Sequence, residues 1–555
     1  MTTVKKRLTA VLLTAALGCA MLSGCGVYQN GEGGASDAAD ASGTSATGEK
    51  VLRIYADEPP TMDPQKGNSM INATVGFHVY EGLVRNVNGK IEPAGAKEWK
   101  VSDDGLTYTF TLNKDAKWSD GQPVKAEEYV YGLQRLVNPD TAAPMAYLVE
   151  PILNAKEITA GEKKPEELGV KAVDDSTIEI TLKAPANYIL QILSSSLCTP
   201  VRKDIVEKYG KDYAATPDKM IFNGPFAITD WQHDSSMTME KNDSYWNKDR
   251  IKLDKIEETI LEDKETALNL YNDDQLDYSP VPASANAQYP DVEPMPTGGT
   301  DYMQINLESG NKFLANKNFR KALSYGISRE ETSKLSSASS NKPLSRFIFP
   351  GVVGPTDDKT FGDAYPYEPY PLAGDANKAK EYLNKALQEL GVSDPAQATF
   401  KISYAEGDAG RKKVEVYQEQ WSKNLGIKAV LEPVPYATLY ENQAAGKFEA
   451  MDTGWNIDYA DAKSDLEMFP TGAPYNYSKY SSAAFDEHYN KAIASTDAQE
   501  RTKEFFEAEK VLLDDLPLIP MDARQDKYLV KDNVTNFQFC YVTTSYSLLD
   551  TDITA

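Results

Sequence analysis

The stretch ANKAKEYLNKALQELG, residues 376–391, decides the fold class of this chain. Apolar residues recur every three or four positions in it, and a glycine follows the last of them. This spacing predicts an amphipathic helix that ends at Gly391. The apolar positions are Ala379, Leu383, Ala386 and Leu390.

The segments that follow continue the pattern. TFKISYA (399–405) and IKAVLEPV (427–434) are typical of strands, and RKKVEVYQEQWSKNLG (411–426), between them, has helical spacing. Strands alternating with helices indicate βαβ units and a largely parallel sheet in residues 375–440. Further upstream, LTYTFTL (106–112) alternates apolar residues with threonines and predicts a strand with one buried face. We therefore expect an α/β protein, and 555 residues suggest two or three domains.

Composition and charge restrict the class of partner. The chain has 58 Lys and Arg against 83 Asp and Glu, a net charge of −25. Nucleic-acid binding needs clustered basic residues, so we expect no nucleic-acid partner. Self-repulsion that keeps an exported protein soluble explains the charge more simply than a cationic ligand does.

The N-terminus has the anatomy of an export signal. Lys5, Lys6 and Arg7 precede the apolar run LTAVLLTAALGCAML, and LSGC (22–25) follows at once. This resembles a bacterial lipobox, in which Cys25 becomes the lipidated first residue. A transmembrane helix is the alternative, but the run is shorter than the ~20 residues needed to span a bilayer. Residues 1–24 are therefore predicted to be a signal peptide, and the small polar residues up to 50 to be a flexible tether (25–50).

The motifs of common enzyme classes are missing from the sequence. The three histidines have no metal-ligand spacing, and HExxH, GxSxG, GxGxxG and the P-loop pattern do not occur. We expect no cofactor, no metal and no enzymatic activity. After lipidation of Cys25 and removal of Cys19, Cys198 and Cys540 remain. Their pairing is not readable from sequence, and two isolated buried thiols are the default expectation.

Eight segments in order resemble one family, the oligopeptide-binding proteins of ABC importers, extracellular solute-binding protein family 5. The likeness spans about residues 50 to 550. The segments are EPPTMDPQ (58–65), VYEGLV (79–84), DGLTYTFTLNKDAKWSDGQPVKAEEYVYGLQRLVNPDTAAPMA (104–146), LGVKAVDDSTIEITLKAPANY (168–188), NGPFAITDW (223–231), KNDSYWN (241–247), NFRKALSYGISRE (318–330) and DTGWNIDYADA (452–462).

The resemblance implies a two-lobed, type II periplasmic-binding-protein-like clamp with an extra inserted domain. Its hinge would close the lobes on a ligand. The charges of NFRKALSYGISRE are expected to be structural. By analogy, lobe I comprises 51–74, 199–297 and 521–555, the inserted domain (75–198) packs on lobe I, and lobe II comprises 298–520.

The resemblance also assigns the binding residues. Gly454 would contact the peptide backbone, Trp455 would line a side-chain pocket, and Asp458 would pair with the peptide α-ammonium group. A structural tryptophan and a capping aspartate in an ordinary loop are the alternative. Tyr436 matches an aromatic pocket position, with core packing as its alternative. The ligand-facing loop of lobe I maps onto Glu58.

Two aspartates near this site receive other expectations. Asp461 is predicted to be a solvated loop residue. Asp452 stands where the best-known oligopeptide receptor has a basic residue that pairs with the C-terminus of a short peptide. This departure removes one way of measuring peptide length and puts a preference for tripeptides in doubt.

The function implied is that of a lipid-anchored receptor on the outer face of the bacterial cytoplasmic membrane. It would capture an oligopeptide, deliver it to an ABC permease and act as a monomer. Alternatives within the family are receptors for dipeptides, murein peptides, peptide pheromones or nickel chelates. Alternatives from other classes are a surface glycosidase and a structural adhesin.

Overall fold

The structure is a computed structural model that describes residues 48–336, 340–356 and 358–554. The predicted signal peptide, Cys25 and nearly all of the predicted tether lie outside the described residues. Over the described ranges, no helix combines the length and the apolarity that a membrane crossing requires.

The strands are numbered in chain order. They are β1 (Val51–Ala56), β2 (Val84–Val87), β3 (Lys90–Pro93), β4 (Ala96–Val101), β5 (Thr107–Leu112), β6 (Val170–Asp174), β7 (Thr177–Thr181), β8 (Phe226–Gln232), β9 (Ser236–Lys241), β10 (Lys255–Ile260), β11 (Tyr278–Val281), β12 (Met295–Ile305), β13 (Lys342–Pro343), β14 (Thr399–Ala405), β15 (Lys428–Val434), β16 (Ala450–Asn456), β17 (Leu518–Val530), β18 (Val534–Thr535), β19 (Gln538–Phe539), β20 (Tyr546–Ser547) and β21 (Asp552–Ile553).

The α-helices are numbered in the same way. They are α1 (Met70–Val79), α2 (Ala126–Val137), α3 (Ala155–Thr159), α4 (Ile189–Leu193), α5 (Lys203–Tyr209), α6 (Lys264–Asn272), α7 (Lys312–Ala315), α8 (Lys317–Tyr325), α9 (Arg329–Leu335), α10 (Phe361–Ala364), α11 (Ala376–Glu389), α12 (Asp408–Leu425), α13 (Tyr436–Ala444), α14 (Ala462–Leu466), α15 (Ala483–Ala494) and α16 (Ala498–Asp515).

The predicted βαβ region is confirmed. α11 begins after Asp375, whose side chain caps the helix by accepting from the backbone N–H of Lys378. Its apolar stripe is buried, and Gly391 follows in the left-handed conformation that a glycine adopts without strain. β14 and β15 are joined by α12 and pair in parallel, from Thr399 opposite Lys428 to Ala405 opposite Val434.

One eleven-stranded sheet runs through both lobes. Its order is β15-β14-β16-β12-β17-β11-β1-β10-β9-β8, with β13 paired to β17. β12 and β17 form a long antiparallel pair in the middle. β17 pairs with β12 as far as Asp526 and with β11 from Lys527 onward. The chain thus passes from one half of the sheet to the other within a single strand.

Separate apolar cores lie under the two halves of this sheet. One groups buried residues from 52–80, 201–278 and 534–553, and two others group buried residues between 302 and 542. The inserted segment has its own antiparallel sheet, β4-β5-β7-β6, over a core that spans Leu83 to Cys198. That core also includes Tyr459, which lies in the predicted lobe II. The inserted segment therefore touches lobe II as well as lobe I.

The two arginines of the segment 318–330 are structural, as predicted for its charges. Arg320 is buried and donates to the backbone carbonyls of Leu314, Ala315 and Asp515. Arg329 is also buried and donates to the carbonyls of Pro520 and Ser324. Cys198 and Cys540 are free and buried, and burial raises the pKa of each thiol to about 12.

The expectation for Asp461 was wrong. Its carboxylate accepts two hydrogen bonds from Arg501, at 2.6 and 2.9 Å, and also caps α14 through the backbone N–H of Lys463. The side chains of Arg501 and Asp461 are only 5% and 14% exposed. The segment after β16 is therefore held by a buried ion pair, which short-range sequence patterns do not reveal because the partners are far apart in the chain.

We expect Asp461→Ala to destabilise the protein by about 3–5 kcal/mol, because it leaves the Arg501 guanidinium buried and unpaired. Urea denaturation followed by circular dichroism measures this change. Asp408→Ala is the matched control, since the Asp408–Arg411 pair is 83% and 52% exposed and solvent-exposed pairs contribute little to stability. Equal stability of the two variants would contradict the structural role of Asp461.

Candidate functional site

β16 presents an open edge beside the middle of the sheet. One edge pairs with β12 along the whole strand, from Ala450 to Asn456. On the other edge β14 pairs only with Ala450 and Met451, so from Asp452 to Asn456 that edge has no strand partner among the described residues. Free backbone donors and acceptors on an edge can hydrogen-bond an extended chain as an added strand.

Gly454 lies in this open part, opposite Asp301 of β12. A Cβ at this position would lie 2.0 Å from Nη2 of Arg524 and 2.5 Å from Oδ1 of Asp301. Any other residue would therefore displace the Arg524 guanidinium. The structure gives an internal reason for the glycine, and its predicted contact with a ligand backbone stays a prediction.

A cluster of buried charges lies next to Gly454. Asp301 accepts from Nε of Arg524 at 2.6 Å and from Nζ of Lys413 at 3.0 Å. Lys413 also pairs with Asp452 at 3.2 Å. Burial raises the pKa of Asp452, and burial raises that of Asp522, across from Asp301, to about 7. Asp452 is thus engaged within the protein, while Arg524, with its side chain 36% exposed, brings a cation to the strand beside Gly454.

Asp458 follows β16 and is mostly buried. Oδ2 accepts a hydrogen bond of 3.0 Å from the Tyr147 hydroxyl, and the backbone N–H donates to Oγ of Ser464 at 2.9 Å. Burial raises the pKa of the carboxyl group to about 6, and the charge of Glu467 adds to this, against the Tyr147 hydrogen bond and Lys463. No side chain of the described residues forms an ion pair with Asp458.

A cavity of about 210 Å³ lies against Asp458, and three parts of the chain line it. The predicted lobe I contributes Thr543 and residues between Thr61 and Ala73, in the loop before α1 and the first turn of α1, while Gly76 and Tyr80 belong to the predicted inserted domain. The inserted segment contributes Met145, Leu148 and residues between 191 and 197, and lobe II contributes 456–458. The carboxylate is therefore placed where the three parts meet.

The other predicted site residues are spread more widely. The indole N–H of Trp455 donates to the carbonyl of Ser464 at 2.8 Å, which fastens the end of β16 to α14, and its ring lies 6.3 Å from that of Tyr475. Tyr436 is 67% exposed, so the alternative of core packing is wrong. Its hydroxyl accepts a hydrogen bond from that of Tyr440.

Glu58 lies apart from the Asp458 cavity. Its carboxylate pairs with Nδ1 of His233 at 2.8 Å and accepts from the backbone N–H of Asp234. The hydrogen bond that Nδ1 of His233 donates to the Glu58 carboxylate raises the pKa of His233. Other residues of the same loop do line the cavity, namely 61–64 and 67–69, just before α1. A ligand contact by Glu58 stays a prediction.

Sequence reasoning missed Tyr147 and Arg524. Tyr147 lies in the inserted segment, 311 positions before its partner Asp458, and Arg524 is 223 positions from Asp301. No local pattern connects such pairs. The one available signal for Tyr147 was its position just after the motif that ends at residue 146. Nowhere in 48–336, 340–356 or 358–554 do three His, Cys, Asp or Glu side chains come together as a metal site.

Known proteins resemble this chain over most of its length. Residues 90–477 match bacterial extracellular solute-binding proteins, family 5 Middle. The dipeptide-binding protein DppE of Bacillus subtilis is 32% identical over 539 residues, which cover 95% of this chain and 96% of DppE.

Two solved structures show the same fold. Listeria monocytogenes OppA bound to peptide is 34% identical, with a TM-score of 0.72, over 92% of this chain and 100% of that one. The murein tripeptide binding protein MppA in its unliganded open form is 26% identical, with a TM-score of 0.78, over 91% and 97%. These likenesses confirm the predicted periplasmic-binding-protein-like α/β fold. With the matched family covering most of the chain, the protein belongs to the bacterial extracellular solute-binding proteins of family 5.

Proposed function

We propose that this protein captures an extended oligopeptide between its lobes and delivers it to the permease of an ABC importer. The peptide α-ammonium group pairs with Asp458, and the peptide backbone adds to the open edge of β16. One observation carries the proposal. A mostly buried carboxylate without an ion-pair partner among the described residues lies four residues beyond Gly454, where three parts of the chain meet.

The physical reason concerns what all peptides share. A receptor for many sequences recognises the backbone amides and the ammonium group, because side chains vary. An added strand satisfies the amides, and a carboxylate satisfies the ammonium group. Similar proteins are named for dipeptide binding, peptide binding and murein tripeptide binding, which supports a peptide as the ligand class. Family membership also favours ligand capture without catalysis over a surface glycosidase.

Capture requires the lobes to move. We place the hinge where β17 changes its partner from β12 to β11, between Asp526 and Lys527, and in the neighbouring segment 282–294. The TM-score is higher with the unliganded open form of MppA than with the peptide-bound Listeria protein, although the sequence identity is lower. This supports an open arrangement for the unliganded protein. A lipid on Cys25 would hold this monomeric receptor at the outer face of the membrane, close to the permease.

Asp458→Ala should weaken peptide binding by roughly 10²–10⁴-fold, because breaking a buried ion pair costs about 3–5 kcal/mol and each decade of affinity is about 1.4 kcal/mol. Asp458→Asn should also weaken binding, since it keeps the shape and removes the charge. Calorimetry with one pentapeptide in free and N-acetylated form measures both losses. The losses should not add, because each removes the same interaction.

Arg524→Met is a useful comparison, since it changes the charge beside Gly454 and leaves Asp458 intact. Arg524→Met should retain the difference in affinity between the free and the acetylated peptide. Wild-type affinity in Asp458→Ala, or full additivity of the two losses, would show that this carboxylate is an ordinary structural group.

Peptide affinity should depend on pH through Asp458. In the free protein its pKa is raised to about 6, so the anion that binds the ammonium group prevails above this pH and disappears below it. Affinity should be highest near pH 7, fall with a slope approaching tenfold per pH unit below about pH 6, and begin to fall again near pH 8, where the peptide α-amino group (pKa about 7.7–8.0) loses its proton. Calorimetry between about pH 5 and about pH 8 tests this. The same slope in Asp458→Asn would exclude Asp458 as its source.

Peptide binding should also make the molecule more compact. Small-angle X-ray scattering of the free and peptide-saturated protein should show a smaller radius of gyration in the complex, because the lobes close by a rigid-body rotation. The acetylated peptide, at a concentration that leaves the protein mostly free, is the control. An unchanged radius with demonstrably bound peptide would contradict a hinged clamp.

A further inference from the structure

A second cavity, of about 310 Å³, lies between the inserted segment and lobe II. Four tyrosines form its aromatic walls, and we call it the tyrosine cavity. They are Tyr147 and Tyr188 from the inserted segment and Tyr459 and Tyr475 from lobe II. The rings of Tyr188 and Tyr459 are stacked at 5.4 Å, and those of Tyr147 and Tyr475 meet edge to face at 6.1 Å. The cavity therefore depends on the contact between the inserted segment and lobe II.

The tyrosine cavity adjoins the carboxylate of Asp458. Tyr147 lines the cavity, and its hydroxyl donates to Oδ2 of Asp458. Leu148 lines both this cavity and the one against Asp458. Oδ1 of Asp458 has no hydrogen-bond partner among the described residues and remains available to an ammonium group. A side chain on the carbon that bears this ammonium group would contact Tyr147, at the entrance to the tyrosine cavity.

The polar groups of the cavity neutralise one another. Lys463 forms an ion pair with Glu467, and its Nζ also donates to the Tyr459 hydroxyl at 2.9 Å. Lys183 and Glu150 also lie in the lining, without an ion pair between them, so the lining holds two cations and two anions and has no net formal charge. A charged ligand group would gain no net attraction there and would lose its hydration. The hydroxyls of Tyr188 and Tyr475 make no hydrogen bond among the described residues, and both residues line the cavity.

We propose that the tyrosine cavity receives the side chain of the first residue of the bound peptide and selects for uncharged aromatic side chains. This inference rests on the proposed function, because it requires the α-ammonium group at Asp458. Aromatic walls favour edge-to-face and offset-stacked contacts with an incoming ring. The two free hydroxyls can serve the phenol of tyrosine or the N–H of tryptophan.

The size of the cavity fits this assignment. An apolar protein cavity of about 150 Å³ holds a benzene molecule. The tyrosine cavity, at about 310 Å³, has room for a phenyl, phenol or indole group. A peptide with glycine in first position would place no side chain in the tyrosine cavity. Affinity should therefore depend on the first residue even when the rest of the peptide is constant.

The experiment is calorimetry with a panel of pentapeptides that differ only in the first residue: Gly, Lys, Phe and Trp followed by four alanines. Wild type should bind the Phe and Trp peptides about tenfold to a hundredfold more tightly than the Gly peptide, from the apolar area that their rings bury. The Lys peptide should bind no better than the Gly peptide. In Glu150→Trp a new indole fills the cavity, so this preference should disappear.

Glu157→Trp is the matched control, because Glu157 is an exposed residue of α3 in the same inserted segment and does not line the cavity. It should retain the preference. If thermal unfolding shows that Glu150→Trp does not fold, Tyr475→Leu replaces it, and the loss of an aromatic wall should reduce the preference severalfold.

Each outcome decides the question. Equal affinity of wild type for the Phe and Gly peptides, or an aromatic preference that survives in folded Glu150→Trp or, in its place, Tyr475→Leu, would overturn the assignment of the cavity. In that case, binding of the Gly peptide that still requires Asp458 would leave the proposed function intact. If wild type bound none of the peptides, the proposed function and the assignment of the cavity would fall together.

Discussion

The antiparallel pairing of β12 with β17 is the constraint on which the rest of this structure depends. These strands carry one sheet through both lobes, and the partner of β17 changes within the strand. The two halves of the sheet are therefore joined through the backbone hydrogen bonds of one strand, and the proposed hinge lies at the point where its partner changes. β16 pairs with β12 on one side and leaves its other edge open beside this pair. The candidate site is thus built on a strand that is fully paired along one edge and open along part of the other.

The structural carboxylates and the proposed binding carboxylate differ in whether a cationic side chain pairs with them. Asp461 is matched by Arg501, while Asp301 and Asp452 share Lys413. Each of these pairs satisfies a charge whose burial would otherwise be costly. Asp458 differs, because a tyrosine hydroxyl is its side-chain partner and burial raises its pKa. A mostly buried carboxylate without an ion-pair partner is strongly stabilised when a cation pairs with it. This is the physical basis for assigning the ligand ammonium group to Asp458.

The inserted segment takes part in the site more directly than a domain packed on lobe I alone would. Its core includes Tyr459 of lobe II, Tyr147 reaches Asp458, and the side chain of Asn187 donates to the carbonyl of Thr496. A movement of lobe II relative to lobe I must therefore either carry the inserted segment along or slide across these contacts. The linings of both cavities include residues of that segment, so the proposed ligand selection and the proposed lobe movement would involve the same side chains.

The sequence by itself determined the elements whose signals are local. The spacing of α11, the strands on either side of α12 and the alternation of β5 are confirmed, because one period of apolar residues specifies each element and its buried face. The order of eight motifs was enough to indicate the family and the two-lobed fold. It also singled out Gly454, Trp455 and Asp458, although their roles toward a ligand remain proposals.

Only the tertiary structure decided what each of these residues touches. Arg524 over Gly454, Tyr147 on Asp458 and Arg501 on Asp461 are contacts between residues at least 40 positions apart. It also placed Glu58 against His233, away from the Asp458 cavity, and Tyr436 at the surface. The reason is that hydrophobic periodicity reports which face of an element is buried, whereas the partner of a buried charge is set by how distant elements pack.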